Sequence, residues 1–483
     1  MRSLVMATAG LLFTASLGER ALAQSSTAPL TAAAPVATAT PRESALTLAE
    51  VLSSIDRDHP AVAAARQDKA AARGDRTAAD GGFDTAFRTR VAGTPLSYYR
   101  NFRVDTVVEQ PTALWGSTVF GGYRLGRGDV PDYDGKQLTN ELGEVRAGLV
   151  VPTIRNGPID RRRANRERGA LGETAAGEAL RAATLDVKRV GGLRYWEWVA
   201  AGKRREIART LLDIALKRDD QIASRVVRGD LSPIERTENA RVILQRRVQL
   251  VAQDRGLQQA AIELSQYYRA PGGGPVVPSD DRLPALEEPT VWPAEALPTA
   301  TARALAERPD VRRIALVREQ ARVEADLANN QRLPALDFQV VVSKDFGGGI
   351  ATRRPVELEG QVLLDVPIQN RQANGRAEAA RAALARVAEQ ERGARDRVTA
   401  EVRDARSASE LARSRLALAR QEVEISAELE RAEWLRFAAG DTTLLVVNLR
   451  EQATFDARLR QVDALAECQR ALMLLRAAMG SLK

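Results

Sequence analysis

Two tracts decide what this chain can become. Residues 158–228 and 371–439 are alanine-rich and charged, with apolar residues at helical spacing, and each runs into a Gly-Asp. The junctions read "VVRGDLSPIERTENARVIL" (Val226 to Leu244) and "FAAGDTTLLVVNLREQATF" (Phe437 to Phe455). A helix of roughly 70 residues is roughly 105 Å long at 1.5 Å per residue, far beyond the width of a compact domain. The helical pattern restarts within three residues of each Gly-Asp, predicting returning helices over 232–269 and 443–480. Gly229 and Gly440 suit the left-handed position just past a helix end. Ser232 is expected as N-cap, Pro233 as first helical residue and Glu235 as the partner that completes a capping box. Asp441 or Thr443 is expected to restart the second helix. These capping roles also account for the Arg-Gly-Asp tripeptide at 228–230.

The same order of motifs occurs twice. "LTLAEVLSSIDRDHPAVAAARQDKAAARGDRTAAD" from Leu46 matches "TATARALAERPDVRRIALVREQARVEADLANNQRLPALD" from Thr299, aligning Pro60 with Pro309 and Val62 with Val311. Each is followed by a β-like region, a Val-Pro element (Pro152, Pro367), a long helix, a Gly-Asp turn and a return. The chain therefore reads as an internal duplication. The repeats span 46–270 and 299–483, joined by a Pro/Gly-rich connector at 271–298. Within them lie β-hairpin regions at 83–152 and 335–367, and helical hairpins at 158–269 and 371–480 with tips near 229 and 440. One 34-residue segment plus one returning helix matches a long helix in length. That pattern predicts a wall in which each long helix lies beside two short ones.

The β-like regions alternate with a period of two. In "VELEGQVLLDV" Val356, Leu358, Gly360, Val362, Leu364 and Val366 oppose Glu357, Glu359, Gln361 and Asp365, with Leu363 the exception. "FDTAFRTRV", "RVDTVVE" and "EVRAGLV" behave alike. One apolar and one charged face suits a wall between lipid and water, although a soluble sheet with one wet face gives the same alternation. About one hairpin per repeat, or about four strands per chain, is expected. Four strands cannot close alone, so a barrel needs several copies. Tyr98, Tyr99, Trp115, Phe120 and Tyr123 are candidates for an aromatic belt.

Composition removes most chemistry. One His (His59) and one Cys (Cys468) among 483 residues leave too few ligands for a zinc site and no intrachain disulfide. His59 reads as a surface or capping residue, and Cys468 as a buried thiol on a helix face. No constellation of nucleophile, acid/base or phosphate loop appears, so no enzyme, catalytic residue, metal or cofactor is expected. The first 23 residues read as a secretory signal: Arg2, an apolar run to Leu17, then Ala21-Leu22-Ala23 before Gln24. Residues 24–45 are Ser/Thr/Ala/Pro-rich and expected to be disordered. Export argues against a nucleic-acid partner despite the formal charge of +8.

Over nearly the whole mature length the chain resembles the TolC-like outer membrane channel proteins, also called outer membrane efflux proteins. The resemblance rests on the duplicated order of motifs, above all "ALAERPDVRRIALVREQARVEADLANNQRLPALDF" and "RFAAGDTTLLVVNLREQATFDARLRQVDALAECQRALMLLRAAMG". It implies an α+β membrane fold: long antiparallel helical hairpins forming an α-barrel, plus β-hairpins of a shared transmembrane β-barrel. It also implies a homotrimer with a twelve-stranded barrel in outer membrane lipid and a tunnel through the periplasm. Cargo would come from an inner-membrane transporter of an efflux pump or type I secretion system. The tips Gly229, Asp230, Leu231, Ser232 and Gly440, Asp441, Thr442, Thr443 would meet a periplasmic adaptor. Some relatives narrow the tunnel entrance with carboxylates two turns after the second tip; here that stretch is "LLVVNLRE", with Val446, Asn448 and Leu449. Glu235, Glu238, Phe437 and Asn448 are the candidate entrance-lining residues. The competing readings are a periplasmic adaptor, which has one hairpin and an anchor, and a soluble coiled-coil scaffold, which leaves the strands unexplained.

Overall fold

The computed structural model describes residues 44–131, 137–289, 292 and 295–482. The segment 1–23 expected to be a signal and all but the last two residues of 24–45 lie outside the described residues, as does part of the connector.

Helices dominate, and the duplication is visible element by element. α1 (Leu48–Asp58) and α2 (Pro60–Asp80) are separated by His59; α5 (Leu297–Glu307) and α6 (Pro309–Asn330) are separated by Arg308. Each proline takes the first helical position, where its missing N–H costs nothing, and forces the preceding residue to be extended. His59 and Arg308 share ψ 128°. His59 also caps α2, its Nδ1 accepting from the Ala61 N–H at 3.2 Å.

α3 (Arg161–Val227) and α7 (Arg371–Ala439) are the long helices, at 67 and 69 residues. At 1.5 Å per residue each is about 100 Å long. α4 (Pro233–Ser265) and α8 (Leu444–Ala478) return from their tips. α3 packs along α1, α2 and α4 and also along α6 and α8, whereas α7 packs along α5, α6 and α8. Each long helix thus lies beside end-to-end pairs of shorter ones, giving a four-column wall. Its free flanks are the α2/α4 column and α7.

The main core sits halfway along the wall. Trp198, Tyr195, Leu46, Val51, Ile55, Leu257 and Leu264 are buried together. The Tyr195 hydroxyl donates to the Leu46 carbonyl at 2.9 Å, and burial pushes its pKa up to about 12. The connector closes this region: Arg282 donates to Glu50 (2.8 Å) and to the Tyr268 hydroxyl (2.9 Å), and Tyr268 donates to Glu50 (2.6 Å). Cys468 is fully buried in a separate alanine-rich cluster with Leu416 and Ala464.

The sheet departs from expectation. Six antiparallel strands, not four, run in sequence order: β1 (Ala86–Thr94), β2 (Asn101–Pro111), β3 (Thr118–Gly128), β4 (Glu144–Pro152), β5 (Ala335–Asp345) and β6 (Glu357–Asp365). The first repeat supplies two hairpins and the second one. β3 hides its period behind Gly121, Gly122 and Gly126, and the stretch 83–152 is long enough for two hairpins. Cross-strand register keeps the two faces separate across all six strands. Val91–Val104–Leu125 and Ala147–Val342–Leu358 are rows on the apolar face. Arg90–Asp105–Arg124–Glu144–Asp345 is a row on the charged face. Arg146 also reaches Asp105 there at 2.6 Å.

The aromatics do not form one group. Tyr98 and Tyr99 sit in the β1–β2 loop and Trp115 in the β2–β3 turn, at the opposite end of the sheet. Tyr123 is on the apolar face, while Phe120 is on the charged face, against Gly148.

Asparagines set the passage from sheet to helix. Asn156 follows Pro152 and Asn370 follows Pro367, with φ 69° and 45°. Asn tolerates this left-handed conformation better than other non-glycine residues. Both are tied to the end of α6: the Asn156 N–H donates to Asn330 Oδ1 at 2.8 Å, and Asn370 Nδ2 to the Arg332 carbonyl at 2.8 Å.

Candidate functional site

The two tips lie at the end of the wall farthest along the chain from the sheet, and they are the same turn. In the first, the Gly229 N–H donates to the Val226 carbonyl (3.0 Å) and the Asp230 N–H to Arg225 (2.9 Å). In the second, Gly440 donates to Phe437 (3.2 Å) and Asp441 to Arg436 (2.9 Å). This double bond pattern is the Schellman motif, which needs a left-handed residue after the helix. Gly229 and Gly440 have φ 79° and 87°, and nothing lies within 4 Å of where a Cβ would stand. Glycine is required here by backbone conformation, not by space.

Restarting the helices differs from expectation. Ser232 and Thr443 are the N-caps, but neither side chain makes a capping hydrogen bond. The Glu235 N–H is taken by the Ser232 backbone carbonyl instead, so the capping box does not form. Both tips are exposed, and water satisfies such donors readily.

Tip residues divide into an exposed rim and a buried base. Gly229, Asp230, Ser232, Gly440, Asp441 and Thr443 are exposed, with Leu231 and Thr442 half-buried. Asp230 pairs with Arg228 at 3.1 Å. Glu238 pairs with Arg241, whose hydrogen bond holds the Glu238 carboxyl below its usual range. Glu235 is half-buried on the first turn of α4. Phe437 and Asn448 face inward within the single chain. Phe437 packs with Ile222, Leu444 and Val447, and Arg225 lies 5.7 Å over its ring. Asn448 accepts from Arg218.

Beneath the rim lies a buried charge cluster that sequence reading did not find. Glu451 on α8 accepts from Arg218 on α3, from Arg246 on α4 at 2.6 Å and from Trp434 Nε1 on α7 at 3.1 Å. The Arg218 guanidinium lies 5.0 Å over the Trp434 ring, and Arg246 also donates to the Leu211 carbonyl at 2.9 Å. All four helices of the tip region therefore meet on one carboxylate. Burial lowers the Arg246 pKa, and its hydrogen bond to Glu451 only partly offsets this. The signal was present in the sequence: Glu451 ends "LLVVNLRE", but a lone Glu on a helix gives no sign that two arginines converge on it.

No group of three or more His, Cys, Asp or Glu among the described residues could hold a metal ion, and no described helix is long and apolar enough to cross a membrane.

Comparison with known proteins agrees with this architecture. The family model described as "Outer membrane efflux protein" matches residues 301–481. No curated protein matches the chain. Among solved structures, a membrane protein from Pseudomonas aeruginosa aligns with TM-score 0.64 at 16% identity, covering 92% of this chain and 96% of that one. The MtrE outer membrane channel of Neisseria gonorrhoeae, in its open state, aligns with TM-score 0.63 at 16% identity, over 90% and 89% of the two chains. The outer membrane protein VceC of Vibrio cholerae aligns with TM-score 0.61 at 14% identity, over 90% and 96%. Residues 301–481 therefore match the outer membrane efflux protein family, and the described chain as a whole shares the α+β fold of these outer membrane channel structures.

Proposed function

We propose that this protein is the outer membrane exit duct of a tripartite efflux pump or type I secretion system. It acts as a passive homotrimeric channel and carries cargo delivered by an inner-membrane transporter. One observation carries this reading: twin exposed tips and a two-faced sheet stand at opposite ends of helices about 100 Å long. The sheet is suited to lipid, with Phe87, Val91, Val340, Leu358 and Val362 exposed on its apolar face. Strands of 9–11 residues, at about 3.3 Å each and tilted by about 40°, span about 23–28 Å, the height of an outer membrane apolar band. The tips would receive a periplasmic adaptor.

Self-association follows from the free flanks of the wall. α7 exposes Leu411, Leu418 and Ile425 at seven-residue spacing. α4 exposes Leu244, Val248 and Val251 at i, i+4, i+7. Each is an apolar stripe facing solvent on a single copy, and a cyclic assembly covers one with the other. The duct contributes no chemistry, and selectivity rests on bore and lining charge.

The test is separation of inner and outer membranes, extraction in mild detergent and light scattering. An outer membrane particle with the mass of three mature chains is expected. A soluble monomer or dimer would overturn the reading.

A further inference from the structure

The sheet has two unpaired edges among the described residues, β1 and β6. Open edges are not tolerated in hydrocarbon, because no water is present there to satisfy unpaired N–H and C=O groups. The edges also differ in charge. On the charged face β1 carries Arg88, paired with Glu109 in the same chain, and Arg90, while β6 carries Glu357, Glu359 and, beside Leu363, Asp365, which pairs with Arg155. β6 is exposed along its whole length, and Leu358, Val362 and Leu364 on its apolar face remain exposed. The β1 apolar face continues the same band with Phe87 and Val91. One edge is the complement of the other in strand direction, apolar face and charge.

We propose that β6 of each copy pairs antiparallel with β1 of a second copy of this chain, so that three six-stranded sheets close into an eighteen-stranded barrel. The inference rests on the trimeric duct reading and replaces the twelve strands implied by family resemblance. Adjacent strands about 4.8 Å apart and tilted about 40° close at a backbone radius of about 18 Å for eighteen strands and about 12 Å for twelve. The helical wall gives an independent measure. Four columns per chain make twelve columns per trimer, and helices about 9–10 Å apart close at a radius of about 17–19 Å. Eighteen strands match that radius; twelve fall well short.

The β1–β2 hairpin is held to the rest of the sheet as wall rather than as a loop. The β2–β3 turn that joins it to the next hairpin reaches the start of α3: a Cβ on Gly116 would meet Asp160 Oδ2 at 2.5 Å and the Asn156 carbonyl at 2.8 Å. β2 and β3 pair over eleven residues, as long a register as any in the sheet. The functional consequence is that the barrel sets no size limit narrower than the tunnel. Bulky solutes and extended chains that pass the tips would pass the outer membrane, and discrimination by size falls to the tip end.

Paired cysteines test the seam in the full chain in native membranes, on a Cys468→Ala background. Glu359→Cys is combined in turn with Arg88→Cys, Arg90→Cys or Ala92→Cys on β1, and with Phe120→Cys, Gly122→Cys or Arg124→Cys on β3. Disulfides form only when Cα atoms approach within about 7 Å. Expected are two- and three-chain species, reversed by reductant, for at least one β6–β1 pair and none for the β6–β3 pairs. β6–β3 linkage would overturn the proposal, because it places the β1–β2 hairpin outside a twelve-stranded wall. A membrane trimer with no β6–β1 linkage would overturn it as well. Absence of any membrane oligomer would instead overturn the duct reading itself.

Discussion

Glu451 on α8 and Arg246 on α4 meet at 2.6 Å with 1% and 3% of their side chains exposed, although their helices scarcely touch elsewhere. Arg218 joins them from α3, leaving two guanidiniums on one carboxylate. Removing one partner of a buried ion cluster strands the others and costs about 3–5 kcal/mol, whereas replacing the cluster with apolar residues is often neutral. Glu451→Gln is therefore expected to loosen the tip. Amide exchange in 205–255 and 430–455 should accelerate by orders of magnitude while the mid-wall core around Trp198 stays protected. A triple replacement of Glu451, Arg218 and Arg246 by Met, Leu and Met should recover much of the protection. Unchanged exchange in Glu451→Gln would remove the cluster from any role in holding the tip.

The tip glycines predict a conformational penalty without a steric one. Gly229→Val and Gly440→Val each place a β-branched residue at positive φ, at about 1–3 kcal/mol. Asn at the same sites should cost less, since it visits this region more readily. Pull-down with the cognate adaptor, alongside local amide exchange, should rank glycine above Asn above Val. Equal behaviour of all three would show that the Schellman turns do not define the docking rim.

Glu50 makes acid stability measurable at one position. Burial opposes its ionisation, but hydrogen bonds from Tyr268 and Arg282 outweigh this and lower its pKa. A carboxyl lowered on folding contributes stability that is fully present above its unfolded pKa, about 4.3, and is lost as pH falls through the folded value. Glu50→Gln should therefore be less stable than the parent at pH 7 and approach it below about pH 4. Thermal melts across that range, in detergent, check the sign; parallel curves would contradict it.

Cys468 is fully buried, and burial raises its thiol pKa to about 11. At pH 8 the thiolate is scarce and shielded. Iodoacetamide should leave the native protein unmodified over hours and alkylate it within minutes in denaturant, as read by mass spectrometry. Rapid labelling of the native assembly would mean that α8 opens locally.

Much of the fold was legible because it repeats. Pro60 and Pro309 break their helices at the same place, and Gly229 and Gly440 end theirs with the same two hydrogen bonds. Strand number was not legible. The charged and apolar alternation of β6 is plain in "ELEGQVLLD", whereas the glycines of "TVFGGYRLGRG" leave β3 without a clear period. Asn156 and Asn370 escaped notice because a left-handed asparagine looks like any loop asparagine until φ is known. At the tips, glycine and proline announced the turns, which are local. The Glu451 cluster joins residues more than 200 positions apart, and no local pattern in α8 reports which arginines arrive from α3 and α4.

The two open strand edges also bear on how the protein comes to exist. Under the proposed closure a lone copy has no stable place in lipid, because β1 and β6 would each face hydrocarbon unpaired. Folding of the sheet and meeting of the copies then become one event, governed by how often copies encounter one another. Yield of the inserted protein should rise more steeply than in proportion to its synthesis, and chains that wait too long alone would present β6 as a ready template for the wrong partner.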